Sequence, residues 1–379
     1  MTDFIPFNRP AVLGNEFAYM AEAIRSGHAS GNGPFTKRCE ALLEQSLGVP
    51  KVLLTTSCTH ALEMAALLLD ICPGDRVIVS SFTFVSTVNA FVLRGAFPVF
   101  VDIRPDTLNM DEGQIEAAIA GRTRAILPMH YAGVGCRMDV LMGVAQRHGL
   151  SIVEDNAHGP WGRFRGQYLG TFGDLATLSF HETKNFTCGE GGALLINDPT
   201  LIERAEILRE KGTDRSRFFR GQVDKYTWVD IGSSYVLADI LAAYLLAQLE
   251  CRERVFQTRA EIFGRYVEAF SDLEAEGRLR LPIVPEDCEQ AYHMFYLLLS
   301  SQEQRDALIR HLKSCNILAV FHYVPLHLAP MGRRFGYTEK DCPLTQDVSQ
   351  RLVRLPFYNG LTISDQLRVI EQVRTFFRM

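Results

Sequence analysis

Apolar runs too short for helices alternate with amphipathic stretches along the first half of the chain. Up to about residue 50 the apolar positions recur at helical spacing, broken by a Gly/Ser-rich run at 26–33. Beyond it the pattern predicts strands over 51–54, 76–79, 98–102, 125–129 and 151–154. Between them it predicts helices over 59–70, 85–94, 111–120 and 138–148, with Pro73-Gly74-Asp75 as a turn. Strands this uniformly apolar fit burial on both faces. Their alternation with helices predicts an α/β domain built on a mostly parallel sheet. A further strand ends near Leu178-Ser179, and another leaves at Ala193-Leu194-Leu195-Ile196. Past Asp198 the pattern turns helical through Glu250 and Phe270. A mixed segment starts at about Leu281, with strands over 292–299 and 319–323, a helix over 302–315 and a last helix over 364–377. The expected division is a large domain, 1–250, and a smaller C-terminal α+β domain, 251–379, parted in or beside a long helix.

Composition narrows the class. Of 379 residues, 47% are hydrophobic and 22% charged, the balance of a soluble globular enzyme rather than a disordered or fibrous chain. A net charge of -5 argues against nucleic acid as a bulk partner. The nine cysteines show no C-x-x-C pair, so they read as reduced thiols of a cytoplasmic protein, not as a disulfide framework or a zinc site. The opening MTDFIPFNRP has no basic start and apolar run of a signal peptide. The most apolar long stretch, 77–101, is interrupted by Asn89, Arg94, Gly95 and Pro98, which argues against a membrane span.

Chemistry concentrates in three runs. In Leu53-Leu54-Thr55-Thr56-Ser57-Cys58-Thr59-His60 a strand gives way to small hydroxyl residues and a helix start. The free N–H groups and positive dipole end there suit a phosphate, although Ser57 or Thr59 serves equally as a plain N-cap. In Ser151-Ile152-Val153-Glu154-Asp155-Asn156-Ala157-His158 a buried strand runs into two acids at the end where open α/β sheets hold ligands. A carboxylate there can pair with a protonated pyridine nitrogen, or simply cap a turn. In Ser179-Phe180-His181-Glu182-Thr183-Lys184-Asn185, followed by Gly189-Glu190-Gly191-Gly192, a lysine sits between two apolar strands with a serine five positions upstream. Such a lysine is a candidate Schiff-base nucleophile, set against the ordinary reading of a solvated charge. An aromatic residue in the run 81–87 could cover a cofactor ring, or be core. A nicotinamide site is disfavoured, since Gly133-Val134-Gly135-Cys136-Arg137-Met138 lacks the third glycine of the dinucleotide fingerprint.

These runs, with Arg220-Gly221-Gln222-Val223-Asp224-Lys225-Tyr226 and Phe321-His322-Tyr323-Val324-Pro325-Leu326-His327, resemble the DegT/DnrJ/EryC1/StrS sugar aminotransferases over nearly the whole chain. The narrower resemblance is to transaminases that make dTDP-4-amino-4,6-dideoxygalactose. The resemblance implies a fold-type-I pyridoxal-phosphate transferase, working as a cytoplasmic homodimer with shared active sites. It implies that Lys184 forms the Schiff base, Asp155 pairs with the ring nitrogen, His158 lies beside the ring hydroxyl and Phe84 stacks on the ring. Cys58, Thr59 and Ser179 would hold the phosphate. Ser234 stands where much of the family has an asparagine that reaches the neighbouring subunit's phosphate, a departure in this chain. His322 and His327 would approach the active site. The basic loop 211–228, Arg220 above all, would clamp a nucleotide pyrophosphate from the partner subunit. The implied reaction moves the amino group of L-glutamate to the C4 ketone of dTDP-4-keto-6-deoxy-D-glucose. The alternatives are amination at C3 or of another nucleotide-linked keto sugar, a dehydratase of the same fold, which carries histidine in place of Lys184, and a catalytically silent cofactor-binding regulator.

Overall fold

The computed structural model describes residues 4–378. Its centre is a seven-stranded sheet. The strands are β1 (Lys51–Thr55), β2 (Arg76–Ser80), β3 (Phe97–Val101), β4 (Thr123–Leu127) and β5 (Ser151–Asp155), then, past a hairpin of β6 (Arg163–Phe164) and β7 (Gln167–Tyr168), β8 (Leu175–Ser179) and β9 (Gly192–Ile196). Their order is β1-β9-β8-β5-β4-β2-β3. The pairs β2-β3, β2-β4, β4-β5 and β5-β8 are parallel, and β9 runs antiparallel to both neighbours. The expected α/β fold with a mostly parallel sheet is therefore present, and each predicted strand of the first half falls within two residues of an observed one.

The reversed strand fixes where chemistry can occur. Thr55 and Ser179 end β1 and β8, and both pair with Gly192, which begins β9. Three apolar strands thus deliver their polar ends to one edge, beside the end of β5 at Asp155. Apolar side chains pack on both faces, Leu53, Val77, Val153 and Leu194 into one cluster and Leu54, Ala176, Leu178 and Leu195 into another.

A second core gathers Ile5 with residues between Ile262 and Phe377. It holds β10 (Leu279–Arg280), β12 (Tyr296–Leu299) and β13 (Leu352–Arg354), joined antiparallel in the order β10-β12-β13. A short β11 (Cys288–Glu289) pairs instead with β6. A third cluster joins Phe82 and Tyr131 to Tyr296, Leu298 and Leu352 and so ties the two cores together.

Three expectations need correction. The helical stretch expected through 198–270 breaks after Arg209: apart from the short helix Arg215–Phe219, residues 210–238 are loop until helix Asp239–Glu250. Gly212 and Gly221 adopt φ of 73° and 71°, and an added Cβ on Gly212 would strike the Asp230 carbonyl. The strand expected over 292–299 forms only at Tyr296–Leu299, because Arg259 donates to the carbonyls of Tyr292 and His293, both at 2.7 Å, and draws that segment away from the ladder. The strand expected over 319–323 reduces to one bridge, Val320 with Arg354. Beyond Val320 the chain turns into the cleft between the cores, where residues 321–324 line a cavity.

Candidate active site

The cleft holds a cavity of about 760 Å³ at the polar edge of the sheet. Cys58, Thr59, Phe84, Asp155, His158, Ser179, Lys184 and His322, all named from sequence, line it. Ser234, Arg220 and His327 do not line it within one chain. Ser234 is exposed and bridges to Glu210 through its backbone. Arg220 is exposed and ion-paired to Glu206 at 2.7 Å. His327 is fully buried, with its Nδ1 2.6 Å from the Ser81 hydroxyl.

The two acids ending β5 part company because successive strand residues face opposite ways. Glu154 turns from the cavity, accepts backbone N–H groups from Gly170, Phe172 and Gly173 at 2.8 Å, and meets His130 at 2.9 Å. Asp155 faces the cavity. Its carboxylate accepts the Thr87 hydroxyl at 2.6 Å and the Ala157 N–H at 3.1 Å, which fixes its plane and leaves acceptor capacity directed inward.

Helix Cys58–Leu68 starts at the same edge. Ser57 is its N-cap, accepting the His60 N–H at 3.1 Å, so of the two hydroxyls Ser57 caps while Thr59 reaches across to Ser86 at 2.8 Å. The first turn of this helix lies against Gly192, where an added Cβ would strike the Cys58 N–H and the Ser57 carbonyl carbon. That close approach leaves a backbone-lined cup with Ser179 at its side, a setting suited to phosphate.

Lys184 sits in the turn between β8 and β9, its N–H donating to His181 O at 2.9 Å. The next residue anchors the turn: Asn185 donates to Ala291 O at 2.7 Å and lies 3.0 Å from His293 Nδ1. Burial lowers the Lys184 amine from the usual 10.5 to about 8, with Asp155 and Cys58 opposing the shift and Arg354 adding to it. His158 stacks on His293 with centroids 4.1 Å apart, and His322 meets the Tyr131 hydroxyl at 3.0 Å. Burial first, then neighbouring cationic groups, Lys184 and Arg354 for all three and His158 as well for His293 and His322, hold the three imidazoles neutral, far below their ordinary pKa. The buried Nδ1 of His158 has no partner among the described residues.

Sequence reasoning missed His293 and Arg354, which also line the cavity. A signal for each existed: one histidine among Met294, Phe295 and Tyr296, and one arginine inside Leu352-Val353-Arg354-Leu355-Pro356-Phe357. No cluster of metal-ligating side chains occurs among the described residues. No described helix is long and apolar enough to cross a membrane.

A cavity with a desolvated lysine within reach, a fixed inward carboxylate, an orphaned imidazole nitrogen and a glycine-lined helix start fits pyridoxal phosphate: aldehyde, pyridine nitrogen, ring hydroxyl and phosphate each have a counterpart. The fold and this cavity define a fold-type-I, pyridoxal-phosphate-dependent aminotransferase. Comparison with known proteins agrees. The profile of the DegT/DnrJ/EryC1/StrS aminotransferase family matches residues 11–374. The chain is 34% identical to the spore coat polysaccharide biosynthesis protein SpsC of Bacillus subtilis, over 98% of this chain and 96% of that one. It superposes on S. venezuelae DesV, solved with a ketimine intermediate, with a TM-score of 0.90 at 31% identity over the whole of both chains. A sugar-aminotransferase candidate of Streptococcus pneumoniae, Spr1654, solved in its PMP form, gives 0.91 at 28% identity, covering 100% of this chain and 99% of that one. The chain belongs to the DegT/DnrJ/EryC1/StrS aminotransferase family.

Proposed function

We propose that this aminotransferase moves the amino group of L-glutamate to the C4 ketone of dTDP-4-keto-6-deoxy-D-glucose, giving dTDP-4-amino-4,6-dideoxy-D-galactose for a cell-surface polysaccharide. The observation that carries the transamination is the convergence of Lys184 and Asp155 on one cavity from the ends of two adjacent parallel strands. The choice of sugar rests on the resemblance of the runs around Lys184 and Arg220 to transaminases of that substrate, and SpsC is itself named for polysaccharide synthesis.

Pyridoxal phosphate supplies an aldehyde for amine exchange and a protonated ring that takes up carbanion charge. The chain's own residues do the rest. Lys184, with its amine near neutrality, serves in turn as nucleophile and as the base and acid that moves a proton at the donor α-carbon and at the sugar carbon. Asp155, fixed by Thr87, keeps the ring nitrogen protonated. His158 holds the ring hydroxyl, with its orientation set by the stack on His293. Phe84, exposed at the start of helix Val85–Val92, covers the ring face. Cys58, Thr59 and Ser179 hold the phosphate.

Ser234 and Arg220 would act on the neighbouring subunit of a homodimer. The exposed Phe219, Tyr226 and Trp228 beside them support that face as the interface. The deciding experiment incubates purified protein with glutamate and dTDP-4-keto-6-deoxyglucose and identifies the product by NMR. An axial amine at C4 is expected. An amine at C3 transfers the reading to the alternative regiochemistry, and no amine with several keto-sugar nucleotides removes it.

A further inference from the structure

The resemblance points to His327 as a residue of the active site, yet it lies buried behind the cavity wall. Residues 321–324 form a strap along the cavity, and its two ends are tied to different cores. At one end Val320 and Arg354, between Ala319 and Leu355 of the second core, exchange backbone hydrogen bonds of 2.7 and 3.1 Å. At the other end the strap meets a single residue of the large sheet's edge, Ser81, which follows β2. The Leu326 N–H donates to the Ser81 carbonyl at 3.1 Å, the His327 N–H donates to Ser81 Oγ at 3.0 Å, and Oγ lies 2.6 Å from His327 Nδ1. Both side chains are wholly enclosed. Since Oγ already accepts the backbone N–H, its own hydrogen goes to Nδ1. Burial lowers the imidazole pKa against the pull of Asp102 and Asp341, which leaves Nδ1 free to accept. Nε2 has no partner among the described residues, so the bond at Nδ1 is the one the ring makes there. The tie is stiff. An added Cβ on Gly332 would strike the Leu326 and His327 carbonyls, and the chain beyond stays on the large sheet. There the Tyr337 hydroxyl donates to the Pro98 carbonyl at 2.8 Å, and Asp102, just past β3, accepts the Leu344 and Thr345 N–H groups, both at 2.8 Å.

What the strap carries gives the tie its consequence. His322 Nδ1 lies 3.0 Å from the Tyr131 hydroxyl, and the Tyr323 hydroxyl lies 3.5 Å from His158 Nε2. The Tyr323 ring packs on Phe82 and Phe84, with centroids 5.7 and 6.5 Å apart. Phe82 and Phe84 follow Ser81 directly in the chain. One joint therefore registers the strap against Phe84, which covers the cofactor ring, and, through Tyr323, against His158. Resting on the cofactor site described above and not on the identity of the sugar, we infer that His327 is a positioning residue: through its Nδ1 bond to Ser81 it sets Tyr323 and His322 against the cofactor without touching it. An apolar side chain would fill the same space without burying a polar ring, and what it would lack is that bond.

The test compares wild type with H327N, H327Q, H327L and S81A. Asparagine offers an acceptor where Nδ1 stands, glutamine offers one where Nε2 stands, and leucine offers none. In the cofactor-free protein, amide exchange in peptides covering 320–328 should quicken by about 10-fold or more in H327Q, H327L and S81A, and stay near wild type in H327N. With cofactor loaded, the same three variants should show altered visible circular dichroism of the bound cofactor. Their kcat with glutamate and a keto-sugar nucleotide should fall by about 10- to 100-fold, with H327N within about 3-fold of wild type. S81A combined with H327L should be no worse than either alone. Equal losses in H327N and H327Q, losses that multiply in the double variant, or quicker exchange with unchanged dichroism and kcat would each overturn the assignment. If H327L does not fold, S81A and the contrast of H327N with H327Q decide it. Should wild type hold cofactor yet transfer no amino group, the reaction proposed above fails, and exchange and dichroism still decide His327.

Discussion

Lys184 shows how a single side chain is tuned by its place. A lysine on a surface keeps its proton to about pH 10. Here burial brings the amine to about 8, although Asp155 pulls the other way. The sign for stability follows. Between pH 8 and 10.5 the unfolded chain binds a proton that the folded, cofactor-free chain does not, so stability falls as pH is lowered through that window, and the full cost, on the order of 3 kcal/mol, stands at pH 7. Replacing Lys184 by methionine should therefore raise the Tm of the cofactor-free protein at pH 7, and the gain should vanish by pH 10.5, while the variant forms no Schiff base and transfers no amine. In the cofactor-free wild type, acylation of Lys184 followed by peptide mapping should accelerate with a midpoint near pH 8. A midpoint at the ordinary lysine value would refute the desolvated amine.

At the scale of elements, the antiparallel β9 decides the geometry. Its first residue, Gly192, must pass the first turn of helix Cys58–Leu68 so closely that no side chain fits. Substituting alanine should cost about 1–3 kcal/mol by overpacking against backbone. It should also weaken cofactor binding at least as much, since the phosphate cup is displaced; fluorescence titration with pyridoxal phosphate and thermal unfolding measure the two effects. The strands of the first half were legible because each is a short, doubly buried apolar run between turn residues. The segments 210–238 and 319–323 were not. Their apolar residues, Phe219, Trp228, Ile231 and Phe321 among them, are exposed rather than packed, so hydrophobic periodicity carried the wrong message there.

At the scale of the molecule, exposed apolar surface and incomplete site belong to one problem. Phe219 is 70% and Trp228 78% exposed, on the loop that also carries Arg220 and comes before Ser234. Exposed apolar surface of that kind marks an interface. Sedimentation should show a dimer, and Trp228→Arg should move it toward monomer with a larger loss of nucleotide-sugar turnover than of cofactor binding. A variant that stays dimeric with full turnover would remove this face from the proposal. The sequence by itself determined the α/β layering, the strand ends and the residues Lys184, Asp155, Cys58 and Thr59 at them, because each rests on local signals: an apolar run, a turn, a helix start. Tertiary structure alone turned Asp155 rather than Glu154 to the cavity, stacked His293 on His158, and brought Arg354 and Lys184 to the walls of one cleft. The last two bring together residues more than a hundred positions apart, and which residues meet there depends on how the two cores close on each other, a matter of packing that no local pattern encodes.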